Sequence, residues 1–209
     1  MAPHQPRFSI LKDTIGKLGM LSGAEFNFSQ YSSKYPAFLK GELPNIFNPE
    51  CCAGALMDIG VYDVYLALAL FGRPEKVTAS AGFLRSGADG FGNAVFSYDW
   101  GSCILNWSKI SQSRIPSEIL GDKGTVTFAP VSRLLDMRLW EVDGTSTLLF
   151  DEEPHEASLA NEARDFARYI LFSEESKEEY GRMQELSRDG AELMDEIRTL
   201  VGIHFPAEN

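Results

Sequence analysis

The segment from Asn48 to Phe71, a loop that leads into an apolar helix, restricts most strongly how this chain can fold. Pro49 prevents an earlier helix start, because proline clashes with the preceding turn. Gly72 followed by Pro74 is a typical helix end. Almost every position between them is apolar, so we expect a helix that is buried on most sides. The small residues 53–55 allow the backbone to approach another group closely, and the sequence does not say which group.

Two polar side chains, Asp58 and Tyr62, interrupt this apolar helix. They are four residues apart and therefore lie on one helix face. A buried carboxylate costs free energy unless it has a partner, which suggests a catalytic site. In it Tyr62 would transfer a proton, and Asp58 would orient Tyr62 or the substrate. The spacing alone also allows a structural role, in which Asp58 satisfies backbone N–H groups and Tyr62 only packs.

The stretch Gly54-Ala-Leu-Met-Asp-Ile-Gly-Val-Tyr62 resembles the Gly-Gly-Ala-Leu-Met-Asp-x-Gly-x-Tyr/His signature of the glucose–fructose oxidoreductase / inositol dehydrogenase (Gfo/Idh/MocA-like) family. Further segments fit the same family in register: Ser29–Tyr35, Pro44-Asn45, Phe47–Glu50 and Gly72–Val77. The resemblance spans residues 4–200 and covers the family's C-terminal half. Tyrosine at position 62, where other branches have histidine, is similar to the dihydrodiol and xylose dehydrogenases. Ala53 departs from the signature at a position where glycine is usual.

Short strand-like runs and turn signals follow the central helix. The predicted strands are 24–31, 76–84, 92–98, 102–110, 117–120, 124–128, 137–142 and 147–150, and the other predicted helices are 6–18, 156–172 and 183–201. Asp143-Gly between alternating runs is a strong hairpin signal. Strands flanked by helices at both ends of the chain predict an α+β fold, with an open, largely antiparallel (mixed) sheet and helices on one face. We expect the other face to be apolar, and therefore an interface, with Phe96, Leu105, Trp107 and Trp140 on it.

The resemblance implies a division of the chain. Residues 21–209 would form the substrate-binding and dimerisation domain, with the free sheet face pairing two copies. Residues 1–20 would be a helix remnant that joins a nucleotide-binding domain, which precedes this region in the family and is missing here. The apolar face of helix 6–18 would then be exposed, displaced or held by a second chain. The loop 32–48 lies near the substrate in the family, or it is an ordinary surface connection.

Within that loop, the resemblance implies that Tyr35, Lys34 and Asn45 are substrate contacts. It also implies NAD or NADP in the full-length protein, with none bound to this chain. No Gly-x-Gly-x-x-Gly follows a strand, and the glycine-rich stretch 82–92 is predicted to be a hairpin loop. The family's Glu-Lys-Pro motif, whose lysine lies beside the nicotinamide, is also absent. We therefore expect no dehydrogenase turnover from this chain alone.

Charge and cysteine content exclude several kinds of partner. The net charge of −11 argues against binding to nucleic acid. Residues 151–209 have 16 acidic and 6 basic side chains, net −10, which is typical of a solvated face. No apolar run is expected to span a membrane, and the first residues lack the apolar core of a signal peptide. The three cysteines match neither a disulfide framework nor a metal site. We expect a cytoplasmic protein without metal.

Three functions are compatible with these patterns. The resemblance favours the substrate-binding and dimerisation half of an NAD(P)-dependent oxidoreductase that acts on a CH–OH group of a sugar, polyol or trans-dihydrodiol. The alternative is a stand-alone, non-catalytic module for sugar binding or self-association. A chance motif in an unrelated α+β domain is the third, and it predicts no open apolar sheet face.

Overall fold

The computed structural model describes residues 2–151 and 155–206. Met1 and residues 207–209, the outer ends of the expected domains 1–20 and 21–209, lie outside this description. The helices are α1 (Pro6–Ile15), α2 (Tyr35–Leu39), α3 (Val61–Phe71), α4 (His155–Leu171) and α5 (Lys177–Val201). Short 3-10 helices cover Ala2–His4, Asn45–Phe47 and Pro49–Cys51, and a π-helical turn, Leu56–Gly60, leads directly into α3.

The strands of the described residues form one eight-stranded sheet. They are β1 (Leu21–Ser29), β2 (Lys76–Phe83), β3 (Asp89–Tyr98), β4 (Gly101–Ser108), β5 (Ser117–Gly121), β6 (Gly124–Phe128), β7 (Met137–Glu141) and β8 (Ser146–Phe150). Their order is β2-β3-β4-β1-β5-β6-β7-β8. β1 lies between β4, to which it is parallel, and β5, to which it is antiparallel. All other pairs are antiparallel, so the predicted mixed, largely antiparallel α+β fold is confirmed.

The core lies between one face of this sheet and the helices. Alternation along β1 shows the pattern: Ala24 and Phe26 are buried, whereas Glu25 and Asn27 point to the other face and are partly exposed. The π-helical turn and α3 pack on β1 and β4, and α5 packs on α3 and β2. Because successive side chains in a strand point to opposite faces, the inner strands contribute about every second residue to this core, whereas β8 at the sheet edge has no buried residue.

The expected composition of the open sheet face is wrong for three of its four residues. Phe96, Leu105 and Trp107 are at most 1% exposed and belong to the helix-covered face. Only Trp140, 38% exposed and paired across the strands with Thr125, lies on the open face. Alternation separates the two faces of a strand, but it does not tell which of them the helices cover.

The expected exposure of the first helix is also wrong. In α1, Leu11 has no exposed surface, and Arg7 and Thr14 are buried as well. The Arg7 side chain donates to the backbone carbonyl of Arg133. Farther on, the Leu18 carbonyl accepts a hydrogen bond from the Lys123 amide at 3.0 Å. The helix is therefore part of this domain's own core, and its apolar face needs no further partner to bury it.

Several local predictions hold with shifted ends. Asp143-Gly144 lies in the β7–β8 hairpin, and the glycine-rich stretch 82–92 contains the β2–β3 hairpin. The loop 32–48 is more ordered than expected, because it contains α2 and a 3-10 helix. α5 begins at Lys177, before the predicted start at 183.

The helical stretch Pro49–Phe71 corrects one further expectation. Its length and its mean hydropathy of 1.5 are sufficient, by composition alone, for a helix that crosses a membrane. However, 56% of the most apolar part of this stretch is buried inside the domain. The central helix of a folded core gives the same signal as a membrane span, so this similarity is weak evidence for a membrane.

Candidate active site

A buried carboxylate holds in place the start of the motif helix, which consists of the π-helical turn and α3. Asp89, the first residue of β3, is 1% exposed, and its Oδ2 accepts a hydrogen bond from the Leu56 amide at 2.7 Å. Burial raises the pKa of Asp89, and the Leu56 N–H counteracts part of that rise. A carboxylate at a helix N-terminus also interacts favourably with the helix dipole. Asp89 therefore fixes the π-helical turn against the end of the β2–β3 hairpin.

Gly54 makes this contact possible. A Cβ at position 54 would lie 2.0 Å from Asp89 Oδ1, which is far inside contact distance. The predicted close approach of the small residues 53–55 is thus an approach to Asp89.

The buried Trp107 side chain packs against the π-helical turn. The indole of this buried β4 residue lies against Gly60, where an added Cβ would come within 3.1 Å of Trp107 Cγ. On the neighbouring strand, a Cβ at Gly92 would come within 2.6 Å of Trp107 Cζ2. Two glycines thus allow the turn, the indole and β3 to pack closely. π-helical turns within helices often occur at functional sites, and this one contains Asp58.

Asp58 has a partner that the sequence patterns did not indicate. Lys109 Nζ lies 2.6 Å from Asp58 Oδ2. The lysine is only 8% exposed, whereas the Asp58 side chain is 38% exposed. Among the described residues, no hydrogen bond is made to Asp58 Oδ1. One carboxylate oxygen is therefore fixed by a buried cation, and the other is left able to accept a hydrogen bond.

The backbone around Lys109 is held on both sides. Its amide donates to the Gly90 carbonyl, and its carbonyl accepts from the Ser32 amide, each at 2.9 Å. Just before it, Ser108 Oγ accepts hydrogen bonds from the backbone amides of Ile110 and Ser111. The lysine therefore leaves the end of β4 from a fixed position.

Tyr62, the predicted proton-transfer residue, is partly buried on α3. Its ring meets Phe28 of β1 edge-on, with centroids 5.5 Å apart. Within residues 2–151 and 155–206, its hydroxyl makes no hydrogen bond, not even to Asp58. The structure thus leaves the Tyr62 hydroxyl without a protein partner, and its catalytic role stays a prediction.

Two of the three predicted substrate contacts line one cavity. Lys34 and Asn45 both border an open cavity of about 560 Å³ in the 32–48 loop. Tyr35 instead belongs to an aromatic cluster, with its ring 5.7 Å from those of Tyr31 and Phe47. Asp58 and Tyr62 are not among the residues lining this cavity. The roles of all three loop residues remain predictions.

The loop and the ion pair are nevertheless connected through the backbone. Ser32, whose amide binds the Lys109 carbonyl, also accepts a hydrogen bond from the Tyr35 amide at 3.0 Å. The strand end that positions Lys109 thus also anchors the start of α2. Sequence reasoning missed Lys109 because it searched only for the lysine of the Glu-Lys-Pro motif. The available signal was a lysine that directly follows a strand with alternating buried residues, Cys103, Leu105 and Trp107.

The described residues contain no cluster of three or more His, Cys, Asp or Glu side chains that could hold a metal ion. Cys51 and Cys52 are free and exposed, and Cys103 is free and buried. Burial is the main reason why the pKa of the Cys103 thiol is raised. Asp58, Lys109 and Tyr62 are therefore the candidate site residues of this part of the chain.

Comparison with known proteins identifies the family of this chain. Residues 14–127 match the family model described as the GFO/IDH/MocA C-terminal domain. The chain belongs to the GFO/IDH/MocA family. The matched range includes β1, the motif helix and β4, and hence Asp58, Tyr62 and Lys109. The family predicted from the motif is thereby confirmed.

Two curated relatives are similar to nearly the whole chain. One is scyllo-inositol 2-dehydrogenase (NADP(+)) IolU of Bacillus subtilis, 37% identical over 203 residues, which are 97% of this chain and 61% of the relative. The other is the uncharacterized oxidoreductase YgjR of Escherichia coli, 37% identical over 204 residues, which are 98% of this chain and 61% of YgjR. The chain thus spans about three fifths of the length of these curated relatives.

Solved structures share the fold. The 3-ketoreductase KijD10 from Actinomadura kijaniata, in complex with NADP and TDP-benzene, superposes with a TM-score of 0.78 at 20% identity. The match covers 96% of this chain and 60% of KijD10. At this identity the likeness establishes a common fold and leaves the substrate open.

Proposed function

We propose that this chain is the substrate-binding and dimerisation half of an NAD(P)-dependent oxidoreductase that acts on a CH–OH group of a sugar, polyol or trans-dihydrodiol. The observation that carries the proposal is the ion pair between Asp58 and the buried Lys109, one helical turn before Tyr62. Two further facts support it: the NADP-dependent relative IolU is named for the oxidation of scyllo-inositol, and the KijD10 structure contains NADP.

Each residue has a distinct role in this proposal. A nicotinamide held by the nucleotide-binding half would accept the hydride from the carbinol carbon. Tyr62 would exchange the hydroxyl proton as general acid and base. Asp58 would accept a hydrogen bond from a substrate hydroxyl through Oδ1, because Lys109 already occupies Oδ2. Lys109 therefore acts as a positioning residue for Asp58.

The loop residues would bind the rest of the substrate. Lys34 and Asn45 can donate hydrogen bonds to hydroxyl oxygens from the wall of the loop cavity. Tyr35, which packs against Phe47 beside Lys34, would offer its ring to the substrate from outside this cavity. The α2 region that bears them is stabilised by Arg85, whose guanidinium lies 3.6 Å from the Phe38 ring centroid and donates to the Glu42 carbonyl. A fixed loop reduces the entropy that substrate binding would cost.

We also propose a cytoplasmic homo-oligomer that pairs through the open sheet face. The three free thiols fit a reducing compartment. The open face mixes partly exposed apolar residues such as Ile104 and Trp140 with polar ones such as Asn93 and Asn106. The non-catalytic alternative would keep this self-association and the loop cavity without requiring Tyr62.

The test joins the chain to a nucleotide-binding half. The part of IolU that the match leaves uncovered is fused in front of this chain, and NADP reduction is measured with scyllo-inositol. We expect turnover from the fusion and none from the 209-residue chain alone. Tyr62→Phe should lower kcat of the fusion about 10²- to 10⁴-fold, the usual contribution of a general acid or base.

Tyr65→Phe is the matched control. Tyr65 is one turn farther along α3 and donates to the Ser187 carbonyl, away from Asp58. Its replacement should leave kcat within about twofold of the parent fusion, since surface hydrogen bonds contribute little to chemistry elsewhere. Equal losses in both variants, or turnover by the isolated chain, would refute the proposed role of Tyr62.

A further inference from the structure

The open sheet face has a hollow at the edge where β1 and β4 end and β3 begins. We call it the strand-end hollow. Its volume is about 440 Å³, and the side chains that line it include Ser29, Phe91, Asn93, Asn106, Ile110 and Ser111. It shares no residue with the loop cavity that contains Lys34 and Asn45. Small-molecule sites commonly measure ~300–1,000 Å³, so the strand-end hollow is large enough for a ligand of its own.

Strand register places the lining side chains in two neighbouring rows. Phe91, Ser108 and Ser29 lie opposite one another on β3, β4 and β1, and Asn93 lies opposite Asn106 in the next row. Residues two apart along a strand point to the same face, so both rows belong to the open face. The hollow therefore has a polar floor.

Polar groups in this hollow are free to bind a ligand. Asn106 donates to Glu25 Oε1 at 2.9 Å, and among the described residues its Oδ1 accepts no hydrogen bond. The Asn93 side chain makes no hydrogen bond within residues 2–151 and 155–206. Ser111 Oγ donates to Ser108 Oγ at 2.7 Å, which leaves its lone pairs able to accept. Because a side-chain amide has two donors and a carbonyl acceptor, these groups match hydroxyls, which both donate and accept.

Phe91 adds a fixed apolar surface to the hollow. Its ring lies over Gly82 of β2, where an added Cβ would come within 2.2 Å of Phe91 Cζ. The residue is nevertheless 47% exposed. An aromatic ring beside a few polar groups is a common composition of small-molecule sites and suits the CH groups of a ring-shaped ligand.

The absence of charge in the hollow restricts the ligand further. None of the residues that line it has an ionisable side chain. A phosphate, carboxylate or ammonium group would lose hydration there without gaining a counter-charge, which is unfavourable. The lining therefore selects neutral ligands.

We propose that the strand-end hollow binds a neutral, hydroxyl-rich small molecule, a cyclic polyol or a monosaccharide. The amides of Asn93 and Asn106 hydrogen-bond to its hydroxyl groups, and the Phe91 ring packs against its CH surface. The site goes beyond the proposed function, which places the substrate at Asp58 on the helix-covered side of the sheet. It binds its ligand without transforming it.

The strand-end hollow is compatible with pairing of two copies through the open face. Ile104 lies four residues before Ser108 on β4, which corresponds to about 13 Å along a strand. An interface centred on Ile104 therefore has the hollow at its rim.

The test follows the side-chain amide signals of the asparagines by NMR while scyllo-inositol is added to the 209-residue chain. All hydroxyls of this probe are equatorial, so both faces of its ring present CH groups. We expect the Asn93 and Asn106 signals to shift and to saturate, with a Kd of roughly 1–10 mM, because an open hollow buries only part of a small ligand. Cyclohexanol, which has a single hydroxyl, should shift them less at the same concentration.

Two variants and a control locate the site. Asn93→Leu should raise the Kd about 3- to 10-fold, the usual effect of one lost neutral hydrogen bond, with Asn106 as the reporter. Phe91→Leu keeps an apolar side chain without the ring and should also weaken binding. Asn45→Leu removes the amide of the loop cavity and should leave the shifts of Asn93 and Asn106 unchanged.

Three results would overturn the proposal. The first is that Asn93 and Asn106 do not shift, whether or not Asn45 does. The second is an unchanged Kd in both Asn93→Leu and Phe91→Leu. The third is a shift that follows the concentration of the chain and not that of the polyol, because a second copy would then cover the hollow. Turnover by the fusion with the nucleotide-binding half tests the proposed function separately, since it does not depend on this hollow.

Discussion

At the scale of single residues, Asp63 is the most unusual titratable group of the motif helix. It follows Tyr62 directly, has no exposed surface and lies close enough to Cys103 to raise the pKa of that thiol. Burial raises the pKa of Asp63 well above its usual value, and the nearby Phe28 backbone offsets this only in part. Among the described residues, neither Asp63 carboxylate oxygen has a hydrogen-bond partner at normal bonding geometry. The folded state therefore holds the Asp63 proton more tightly than the unfolded state does.

This proton gives stability a definite pH dependence. The contribution of Asp63 is fully present below the pKa of the unfolded chain, about 3.9, and is lost as pH rises through the raised pKa of the folded state. The side chain introduced by Asp63→Asn is neutral at every pH. The unfolding free energy of this variant should therefore rise relative to that of the parent between pH 4 and pH 7. The gain amounts to about 1.4 kcal/mol for each unit of pKa elevation crossed. Urea denaturation at several pH values measures it.

Asp143 is the control with the opposite sign. The backbone and side chain of Thr145 lower its pKa in the β7–β8 turn, so its contribution is lost as pH falls. The unfolding free energy of Asp143→Asn should therefore fall relative to that of the parent as the pH rises above the pKa of Asp143 in the folded state. If Asp63→Asn showed no change with pH relative to the parent, Asp63 would be ionised in the folded protein, against this account.

At the scale of elements, the site depends on how the π-helical turn meets the β2–β3 hairpin. The turn is attached to Asp89 through the Leu56 amide, and it rests on Trp107 through Gly60. The ion pair between Asp58 and Lys109 then joins the same turn to the end of β4. Three connections between one short helical turn and two strands fix the direction of Asp58.

Gly54→Ala tests this junction. Its Cβ would lie 2.0 Å from Asp89 Oδ1, so the buried carboxylate must move away from the Leu56 amide. Overpacking of this kind costs about 1–3 kcal/mol. Gly181→Ala, in α5 with open space around the added Cβ, should instead stabilise by roughly 0.5–1 kcal/mol. Chemical denaturation of both variants would contradict the account if their effects were equal.

At the scale of the whole molecule, the helices and the open sheet face present two different surfaces. The helical layer contains α4 and α5, which belong to the acidic region 151–209, whereas residues 1–150 have a net charge of only −1. On the open face Ile104, 37% exposed, lies across the strands from Val95 and Glu25. The open sheet face is the surface that we propose for self-association.

Ile104→Lys tests self-association through the open sheet face. A lysine at the centre of a sheet–sheet interface would have to lose its hydration, which is costly without a partner. Sedimentation should show a dimer for the parent chain and a dissociation constant at least about tenfold higher for the variant, with unchanged Tm. Leu200→Lys, at a 51% exposed position on α5, should leave the dimer intact. A variant that remains as dimeric as the parent would exclude the open face.

The sequence determined the family, the motif helix, most strands and two hairpins, because hydrophobic period and turn chemistry act over short distances. It also indicated Asp58 and Tyr62, although not how they act. Only the tertiary structure decided that Lys109 meets Asp58 and that Asp89 anchors the turn, since these residues are distant in the sequence and meet where the π-helical turn packs on the sheet. Only the tertiary structure also decided that Phe96, Leu105 and Trp107 lie on the helix-covered face of the sheet and that the apolar side chains of α4 point to solvent. Periodicity defines two sides of an element, and only the contacts with the other elements determine which side faces the core.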